Sequence, residues 1–282
     1  MRTLIADSGA SKTAWALVQG RSIEYRTTRG LHTSWIDEEK LNEELRRELH
    51  DLNPDRIRFY GAGLYGGVED SPVEVLLRSL FGEVELEFRN DLQAVADAFL
   101  GDRSGVAAIL GTGSNSGWFE GGQQTSGVAA LGYVLGDEGS GADIGKALLK
   151  GYFRNQWSRS TLDWVGRKLD HLTYEEMVRK LYMESRPSYW LASVAGILLN
   201  EPGRPDELDA LLDGALDRFI REHLMRYEAW PDLEVAICGG VANACRDRLS
   251  AKLNAAGIRT VHLARGVIEA LATDEVQRQH NV

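Results

Sequence analysis

Hydrophobic positions in the first hundred residues alternate between short runs and helical spacing. Two apolar runs, at residues 3–6 and 14–19, flank the polar segment 7–13, which predicts two strands joined by a turn. A third strand is predicted near residues 21–26, and leucines four positions apart predict a helix over 37–51. Because their connections are tight, these first three strands are expected to be antiparallel.

Strands and helices then alternate up to residue 100. The pattern predicts strands at 57–60 and 84–88, and helices at 71–81 and 91–100. Such alternation is typical of crossover connections, so we expect an α/β lobe.

The same pattern restarts after residue 105. Three strands joined by glycine turns are predicted at 106–110, 116–120 and 123–127, which indicates a second, duplicated lobe. The remaining predicted elements are a mostly helical stretch at 143–219, a strand at 235–238, a helix at 241–254, a strand near 260–263 and a terminal helix.

Composition excludes several classes of partner. The 282 residues carry 32 Lys+Arg against 42 Asp+Glu, a net charge of −10, which argues against a nucleic-acid or anionic-membrane partner. The longest apolar stretch, 191–199, is about half of what a membrane span needs, and the early start of the first strand leaves no room for a signal peptide. Two cysteines, Cys238 and Cys245, are too few for a disulfide framework, which favours a reducing cytoplasm.

Glycine is concentrated in one region. Fourteen of the 30 glycines lie between residues 101 and 151. This excludes a collagen-like or low-complexity chain and predicts a local need for backbone without side chains.

The first candidate site is the turn D-S-G-A-S-K-T at residues 7–13. Glycine and short hydroxyl residues let backbone amides converge on an anion, and Lys12 adds a positive charge. Asp7 would repel a phosphate unless a divalent cation lay between them, which suggests a hydrated magnesium contact. A polar hairpin turn explains the same residues equally well.

Two further glycine segments could bring backbone close to a ligand. The segment G-T-G-S-N-S-G at 111–117 mirrors the first loop, and two such loops could enclose a polyphosphate from opposite sides. The segment G-G-V-A-N at 239–243 would let a flat ring lie against the backbone. A glycine hairpin and a plain strand-to-helix turn are the structural alternatives.

Carboxylates mark two more segments. Asp91, after Asn90, follows a predicted strand and opens a helix at the sheet edge where α/β proteins bind ligands, so it could accept a proton from a hydroxyl. It is equally suited to capping the helix. The segment 135–145 places Asp137 and other acidic residues among glycines; it could bind sugar hydroxyls, hold a metal or form a polar bend, although the EF-hand spacing is missing.

One motif favours a different class of protein. The pattern G-x-G-x-x-G at 61–66 follows a strand, and Glu83 or Glu85 lies about 20 residues further on, as in dinucleotide-binding proteins. It follows a strand meander rather than opening the first strand-to-helix unit, which makes a dehydrogenase the less favoured interpretation.

Taken in order, five motifs resemble the N-acetylglucosamine kinase family of the actin-like ATPase superfamily, which is related to the ATPases that activate benzoyl-CoA-type reductases. The motifs are D-S-G-A-S-K-T, N-D-L-Q-A-V-A, I-L-G-T-G-S-N-S, L-G-D-E-G-S-G-A and C-G-G-V-A-N. The resemblance spans nearly the whole chain. It implies a two-lobed α/β fold of the ribonuclease H-like type, each lobe a mixed five-stranded sheet with helices, and a cleft between the lobes. The lobes are expected at residues 1–102, completed by the helix 266–282, and at 103–265 with a helical insertion.

The resemblance also implies site residues. Asp7 matches the family's magnesium-linked aspartate, and Asp91 matches its general base. The positions that match ATP-binding ones are Asp7, Gly9, Ser11, Lys12, Thr13, Gly111, Thr112, Gly113, Gly239, Gly240 and Asn243. Those that match the sugar pocket are Asn90, Asp91, Ser114, Asn115 and Asp137, with His32 and Thr33 in a loop that departs from the family's asparagine-bearing one.

The implied activity is ATP- and Mg²⁺-dependent phosphorylation of the 6-hydroxyl of an amino sugar, N-acetylglucosamine first, in the cytoplasm. Glucosamine and N-acetylmuramic acid remain alternative acceptors, and an ATP-dependent activator or sugar sensor is an alternative class. An activator would need more cysteines than Cys238 and Cys245 for an iron–sulfur cluster, and a repressor would need a helix-turn-helix and a basic surface. The oligomeric state, including a homodimer, stays open.

Overall fold

The computed structural model describes residues 1–9, 12–31, 38–61, 71–201, 203–228 and 234–280. The chain divides into two compact units, Met1–Gly101 with Gly266–Val282, and Asp102–Arg265. Within the ranges described, no helix is long and apolar enough to cross a membrane.

The first unit is built on a mixed five-stranded sheet. Its strands are β1 (Arg2–Ser8), β2 (Lys12–Gln19), β3 (Ser22–Arg29), β4 (Arg56–Gly61) and β5 (Glu85–Asn90), and its first helices are α1 (Glu38–Leu49), α2 (Pro72–Phe81) and α3 (Asp91–Phe99). The sheet order is β3-β2-β1-β4-β5. Tight connections make β1, β2 and β3 antiparallel, whereas helical crossovers make β1, β4 and β5 parallel.

Leucines of α1 fill one side of this sheet. Leu41, Leu45 and Leu49, the predicted helical stripe, are buried in a core with Leu4 and Trp15. Their spacing of four residues places all three on the same face of the helix.

The second unit repeats the topology of the first. Its strands are β6 (Gly105–Leu110), β7 (Ser114–Glu120), β8 (Gln123–Gly127), β9 (Glu234–Cys238) and β10 (Arg259–Ala264). Its sheet order is β10-β9-β6-β7-β8, with β6, β7 and β8 antiparallel and β6, β9 and β10 parallel. The predicted α/β class with two mixed five-stranded sheets is therefore confirmed.

Helices separate β8 from β9 and complete the second unit. Between β8 and β9 these are α4 (Gly132–Leu135), α5 (Gly141–Phe153), α6 (Arg159–Lys168), α7 (Tyr174–Tyr182), α8 (Pro187–Asn200) and α9 (Asp206–Phe219). Two more, α10 (Gly240–Ala244) and α11 (Arg246–Ala255), lie between β9 and β10. A π-helical turn, Ile220–Leu224, continues α9. The single helix predicted at 241–254 is wrong, because the backbone of Cys245 leaves the helical region at φ −102° and ψ 19° and divides α10 from α11.

The terminal helix α12 (Ile268–His280) belongs to the first unit. Its Glu275 is buried, accepts a hydrogen bond from Thr3 of β1 at 2.8 Å and forms an ion pair with Arg58 of β4 at 3.4 Å. These contacts tie the last helix of the chain to the first strand.

Candidate active site

Asp7 lies near the end of β1, where the first candidate loop begins. The hairpin is tighter than predicted, since Ser8 already pairs with Thr13 and the Gly9 amide donates to the Lys12 carbonyl at 3.0 Å. The Lys12 side chain is exposed, and its positive charge opposes the rise in the pKa of Asp7 that burial causes. Ser11 lies outside the described residues.

The hydroxyl of Thr13 is engaged in hydrogen bonds within the first unit. Its side chain is fully buried, its hydroxyl bonds to the Ser8 hydroxyl at 2.9 Å, and it donates to the Arg29 carbonyl at 3.1 Å. These bonds brace the hairpin, so the hydroxyl does not serve as an open phosphate donor in this arrangement.

Asn90, and not Asp91, caps α3. The Asn90 Oδ1 accepts the backbone N–H of Gln93 at 2.7 Å, which is the standard capping bond. Asp91 is the first helical residue, and its carboxylate accepts hydrogen bonds from the adjacent Leu92 N–H, at 3.0 Å, and from its own backbone N–H. The capping interpretation of Asp91 is therefore wrong, and its carboxylate needs another explanation.

Asp7 and Asp91 share one edge of the sheet. The strands β1, β4 and β5 are parallel, and Ser8, Gly61 and Asn90 lie at the same level. Because neighbouring strands are about 4.8 Å apart, the ends of β1 and β5 are separated by about 10 Å. Both carboxylates thus lie where a parallel arrangement exposes its ligand-binding edge.

Burial makes both carboxylates harder to ionise. It raises the pKa of Asp91 to about 6, against the lowering effect of its backbone hydrogen bonds. Burial also raises the pKa of Asp7 to about 6, with the negative charges of Asp91 and Glu269 adding to the effect and Lys12 opposing it. Two carboxylates with raised pKa values in one place are typical of a functional site.

The second candidate loop is held by backbone hydrogen bonds. The Gly111 amide donates to the Gly113 carbonyl at 2.9 Å, while the Gly141 and Ala142 amides donate to the Gly111 and Thr112 carbonyls at 2.8 and 3.0 Å. Two of the amides at the start of α5 are therefore committed to the loop. They fix its shape instead of binding an anion themselves.

The segment at Gly239 packs directly on this loop. Gly239 has a φ of +141°, and a Cβ atom there would lie 2.3 Å from the Leu110 carbonyl oxygen. Only glycine allows that approach, which brings the predicted phosphate loop and the predicted adenosine segment together. Gly240 starts α10, and the Asn243 side chain accepts a weak hydrogen bond of 3.4 Å from Arg246.

Asp137 supports the second loop from the acidic segment. Its Oδ1 accepts the Ser114 amide at 3.2 Å, and its backbone takes a left-handed φ of +58°. A Cβ atom on Gly113 would lie 3.0 Å from the Asp137 carboxylate, so the carboxylate packs closely against this glycine. Burial raises the pKa of Asp137.

The two polar residues after the loop have internal partners. Ser114 Oγ donates to the Glu138 carbonyl at 2.9 Å, and Asn115 Oδ1 accepts the Ser116 amide at 2.9 Å. Ser114 therefore braces the acidic segment in the described structure. The other two sugar-pocket positions, His32 and Thr33, lie outside the described residues, as do residues 62–66 of the dinucleotide-type motif.

A buried histidine completes this cluster, and no sequence pattern indicated it. His223 Nε2 lies 3.1 Å from Ser114 Oγ and 3.3 Å from Glu138 Oε2, and the ring stacks on Phe219. Because Ser114 Oγ donates to a carbonyl, it accepts from Nε2–H. Burial lowers the pKa of His223, which favours the neutral ring. More than a hundred residues separate it from Ser114, so only the fold brings the two together.

The Asp7 carboxylate is suited to a magnesium ion whose other ligands are mainly water and substrate phosphates. No cluster of three or more His, Cys, Asp or Glu side chains that could hold a metal is found in the described parts of the chain. Mg²⁺ in phosphate-transfer sites keeps several waters and uses one or two carboxylates plus the substrate phosphates. Asp7, whose pKa is raised by burial and by Asp91, provides such a carboxylate.

Comparisons with solved structures identify the fold type. No protein-family model and no curated protein sequence matches the chain. A "putative N-acetylglucosamine kinase" from Porphyromonas gingivalis is 28% identical over 98% of this chain and 99% of its own, with a TM-score of 0.87. A second "putative N-acetylglucosamine kinase", from Chromobacterium violaceum, is 18% identical over 98% and 99%, with a TM-score of 0.72.

A more distant match has the same fold. A ROK hexokinase from Thermus thermophilus is 18% identical over 98% of both chains, with a TM-score of 0.53. The duplicated sheets agree with these matches and leave the dinucleotide-binding fold without support. The chain is therefore similar over nearly its whole length to a "putative N-acetylglucosamine kinase" and has the actin-like ATPase fold.

Proposed function

We propose that the protein is an ATP-dependent sugar kinase that phosphorylates the 6-hydroxyl of an amino sugar, with N-acetylglucosamine as the first acceptor to test. The names of the two most similar structures reported above support an amino sugar, and that of the hexokinase supports a sugar acceptor more generally. A cytoplasmic location follows from the need for ATP.

The observation that carries the proposal is the state of Asp91. Asp91 is the first residue of α3 and lies at the edge of the sheet where ligands bind. Asn90 caps the helix, so the Asp91 carboxylate is not the capping group, and burial raises its pKa to about 6. A carboxylate in that state is ionised at neutral pH and is a better proton acceptor than an ordinary aspartate.

The reaction needs little more from this residue than orientation and proton acceptance. The sugar hydroxyl attacks the γ-phosphorus, the bond to the β–γ bridging oxygen breaks, ADP leaves, and the hydroxyl proton passes to Asp91. In a loose transition state the hydroxyl keeps its proton until late, so positioning contributes more than prior deprotonation. The amides of Thr112 and Gly113 would contact the phosphates.

Asp7 would hold a magnesium ion through water. When bound, that ion neutralises charge on the phosphates during transfer. Burial, together with the negative charges of Asp91 and Glu269, raises the pKa of Asp7, and a nearby cation would stabilise its ionised form.

The proposal is tested by replacing the carboxylate without changing its shape. Asp91→Asn should bind MgATP like the parent protein but lose about 100-fold or more of the sugar-dependent ADP release, the scale of a positioned base. Exposed Asp102→Asn is the matched control and should keep full turnover. The assay uses N-acetylglucosamine, glucosamine, N-acetylmuramic acid and glucose as acceptors. Near-normal turnover of Asp91→Asn would remove Asp91 from the mechanism.

A further inference from the structure

One face of α9 and of the π-helical turn that continues it lies against the acidic segment of the second unit. Four residues, each three or four positions after the last, share this face: Ala215, Arg218, Phe219 and His223. A Cβ atom on Gly139 would lie 2.6 Å from Phe219 Cβ and 2.7 Å from the Ala215 carbonyl oxygen. The acidic segment therefore packs directly on the helix.

Two side chains on this face add polar contacts. Arg218 Nη2 donates to Asp143 Oδ2 at 2.8 Å, and the same oxygen accepts the Gly139 amide at 3.0 Å. His223 lies further along, in the π-helical turn, and its Nε2–H donates to Ser114 Oγ at 3.1 Å. Single π-helical turns are frequent at functional sites, which makes the position of His223 notable.

The bond from His223 is one of three that hold Ser114. The Ser114 amide donates to Asp137 Oδ1 at 3.2 Å, and the Ser114 hydroxyl donates to the Glu138 carbonyl at 2.9 Å. Ser114 directly follows Gly113, so these bonds fix the residue through which the second loop enters β7. His223 thus acts on the end of that loop through one side chain.

The backbone of His223 contacts the same strand. The buried Ser116 hydroxyl donates to the His223 carbonyl at 2.8 Å. Replacement of the His223 side chain leaves this bond available, so the π-helical turn keeps one of its contacts with β7. The contribution of the ring N–H can therefore be tested separately from the attachment of the turn.

Ser114, His223 and Glu138 are not arranged for nucleophilic catalysis. In a serine triad the carboxylate bonds to the ring nitrogen opposite the serine. Here Glu138 Oε2 lies 3.3 Å from Nε2, the nitrogen that also faces Ser114. The other nitrogen, Nδ1, is buried and has no hydrogen-bond partner among the described residues. Burial lowers the pKa of His223, so the ring is neutral and carries a single N–H donor.

We propose that His223 is a positioning residue for ATP binding. It holds Ser114 and, through Ser114, keeps the amides of Thr112 and Gly113 in the arrangement that receives the phosphates. The inference rests on the proposed kinase function, because that function assigns these two amides to the phosphates. Loss of the His223 N–H should weaken ATP binding while the proton acceptor, Asp91, is untouched.

Two replacements separate the N–H from the bulk of the ring. His223→Phe keeps a ring that can stack on Phe219 but has no donor, whereas His223→Gln brings an amide N–H within reach of Ser114. Calorimetric titration with MgATP, without sugar, should give a Kd about 3- to 10-fold higher for His223→Phe, the fold-change for one lost hydrogen bond. His223→Gln should stay within about 2-fold of the parent protein.

The ADP-release assay adds a split between KM and kcat. For His223→Phe the KM for ATP should rise by the same factor as the Kd, while kcat at saturating ATP and N-acetylglucosamine should stay within about 2-fold. The matched control is Val165→Ala, a buried position on α6 of the same unit. It should lower the melting temperature and leave the Kd for MgATP unchanged.

Ser114→Ala removes the same bond from its other side. It should also raise the Kd for MgATP, and its combination with His223→Phe should bind no more weakly than the weaker single variant, because both remove one interaction. Ser114→Ala alone remains a test if His223→Phe does not fold.

The possible results lead to different conclusions. An unchanged Kd in His223→Phe, equal weakening by Phe and Gln, or equal weakening by Val165→Ala would overturn the positioning role while the kinase function stands. If the parent protein binds MgATP with the predicted effects but phosphorylates no sugar, the kinase function fails and the positioning role stands. If the parent protein does not bind MgATP, both fail.

Discussion

At the scale of single residues, the pH dependence of turnover depends on Asp7 and Asp91. The pKa of each is raised to about 6, so each loses its charge as the pH falls through that value. An aspartate with the ordinary pKa of 3.8 would stay ionised down to about pH 4.

We therefore expect kcat/KM for the sugar to fall on the acid side below about pH 6. Protonated Asp91 cannot accept the hydroxyl proton, and protonated Asp7 attracts a cation less. The measurement is a pH–rate profile from pH 4.5 to 8.5 at fixed MgATP. Because the two carboxylates interact, the acid side of the profile gives apparent pKa values that belong to the pair and not to either residue alone. A rate that stays level down to pH 4.5 would contradict the buried state of both carboxylates.

The roles of several single residues could not be predicted from the sequence. Asn90 and Asp91 are equally good capping residues, so only the observed bond from the Gln93 amide to Asn90 separates them. His223 belongs to no local motif and reaches Ser114 only through the fold. Thr13 matches a phosphate loop in sequence, but its hydroxyl is used in a buried bond to Ser8.

At the scale of elements, the contact of Gly239 with Leu110 holds two loops together. The strand β9 ends beside β6, and the absence of a side chain at Gly239 lets the α10 turn touch the backbone at the end of β6. Gly240, the next residue, has open space where its Cβ would lie. The pair therefore offers a variant and a matched control on adjacent residues.

Gly239→Ala should lower the free energy of unfolding by about 1–3 kcal/mol and weaken ATP binding. A new Cβ would lie 2.3 Å from the Leu110 oxygen and would force the two loops apart. Gly240→Ala should change stability by less than about 0.5 kcal/mol. Chemical denaturation compares the stabilities of the two variants, and ATP titration of Gly239→Ala against the parent protein measures the change in ATP binding. Equal stabilities for the two variants would show that the loops do not depend on this contact.

Element types were predictable because burial and periodicity agree along most of the chain. Short apolar runs ended by glycine became strands, and the four-residue leucine spacing became α1. The break at Cys245 was not predictable, since residues 241–254 keep good helix formers on both sides of it. Strand ends were also missed by one to three residues, because the hydrogen-bond ladders extend into polar positions such as Ser8 and Lys12.

At the scale of the whole molecule, two copies of one sheet topology make up the chain, and its last helix returns to the first unit. The repeat was visible as a restart of the three-strand pattern after residue 105. The partners of α12 were not visible, since Glu275 bonds to Thr3 and Arg58 from the opposite end of the sequence.

Loss of the Glu275 carboxylate should destabilise the first unit. Glu275→Ala leaves the buried Arg58 guanidinium with Glu87 alone, and we expect a cost of about 3 kcal/mol, the lower end for a broken buried ion pair. The matched control is Asp274→Ala on the same helix, whose ion pair with Arg278 is exposed and should contribute less than about 0.5 kcal/mol. Thermal and urea denaturation of both variants would measure the difference; similar losses would refute the buried role.

We propose that the protein transfers phosphate from ATP to an amino sugar with the help of Asp91. The most direct measurement is NMR of the product after incubation with MgATP and N-acetylglucosamine or glucosamine, for the parent protein and for Asp91→Asn. We predict one new phosphate ester, on the 6-hydroxyl, from the parent protein and almost none from the variant. ATP hydrolysis without any phosphorylated sugar, or the same ester at the same rate from Asp91→Asn, would contradict it.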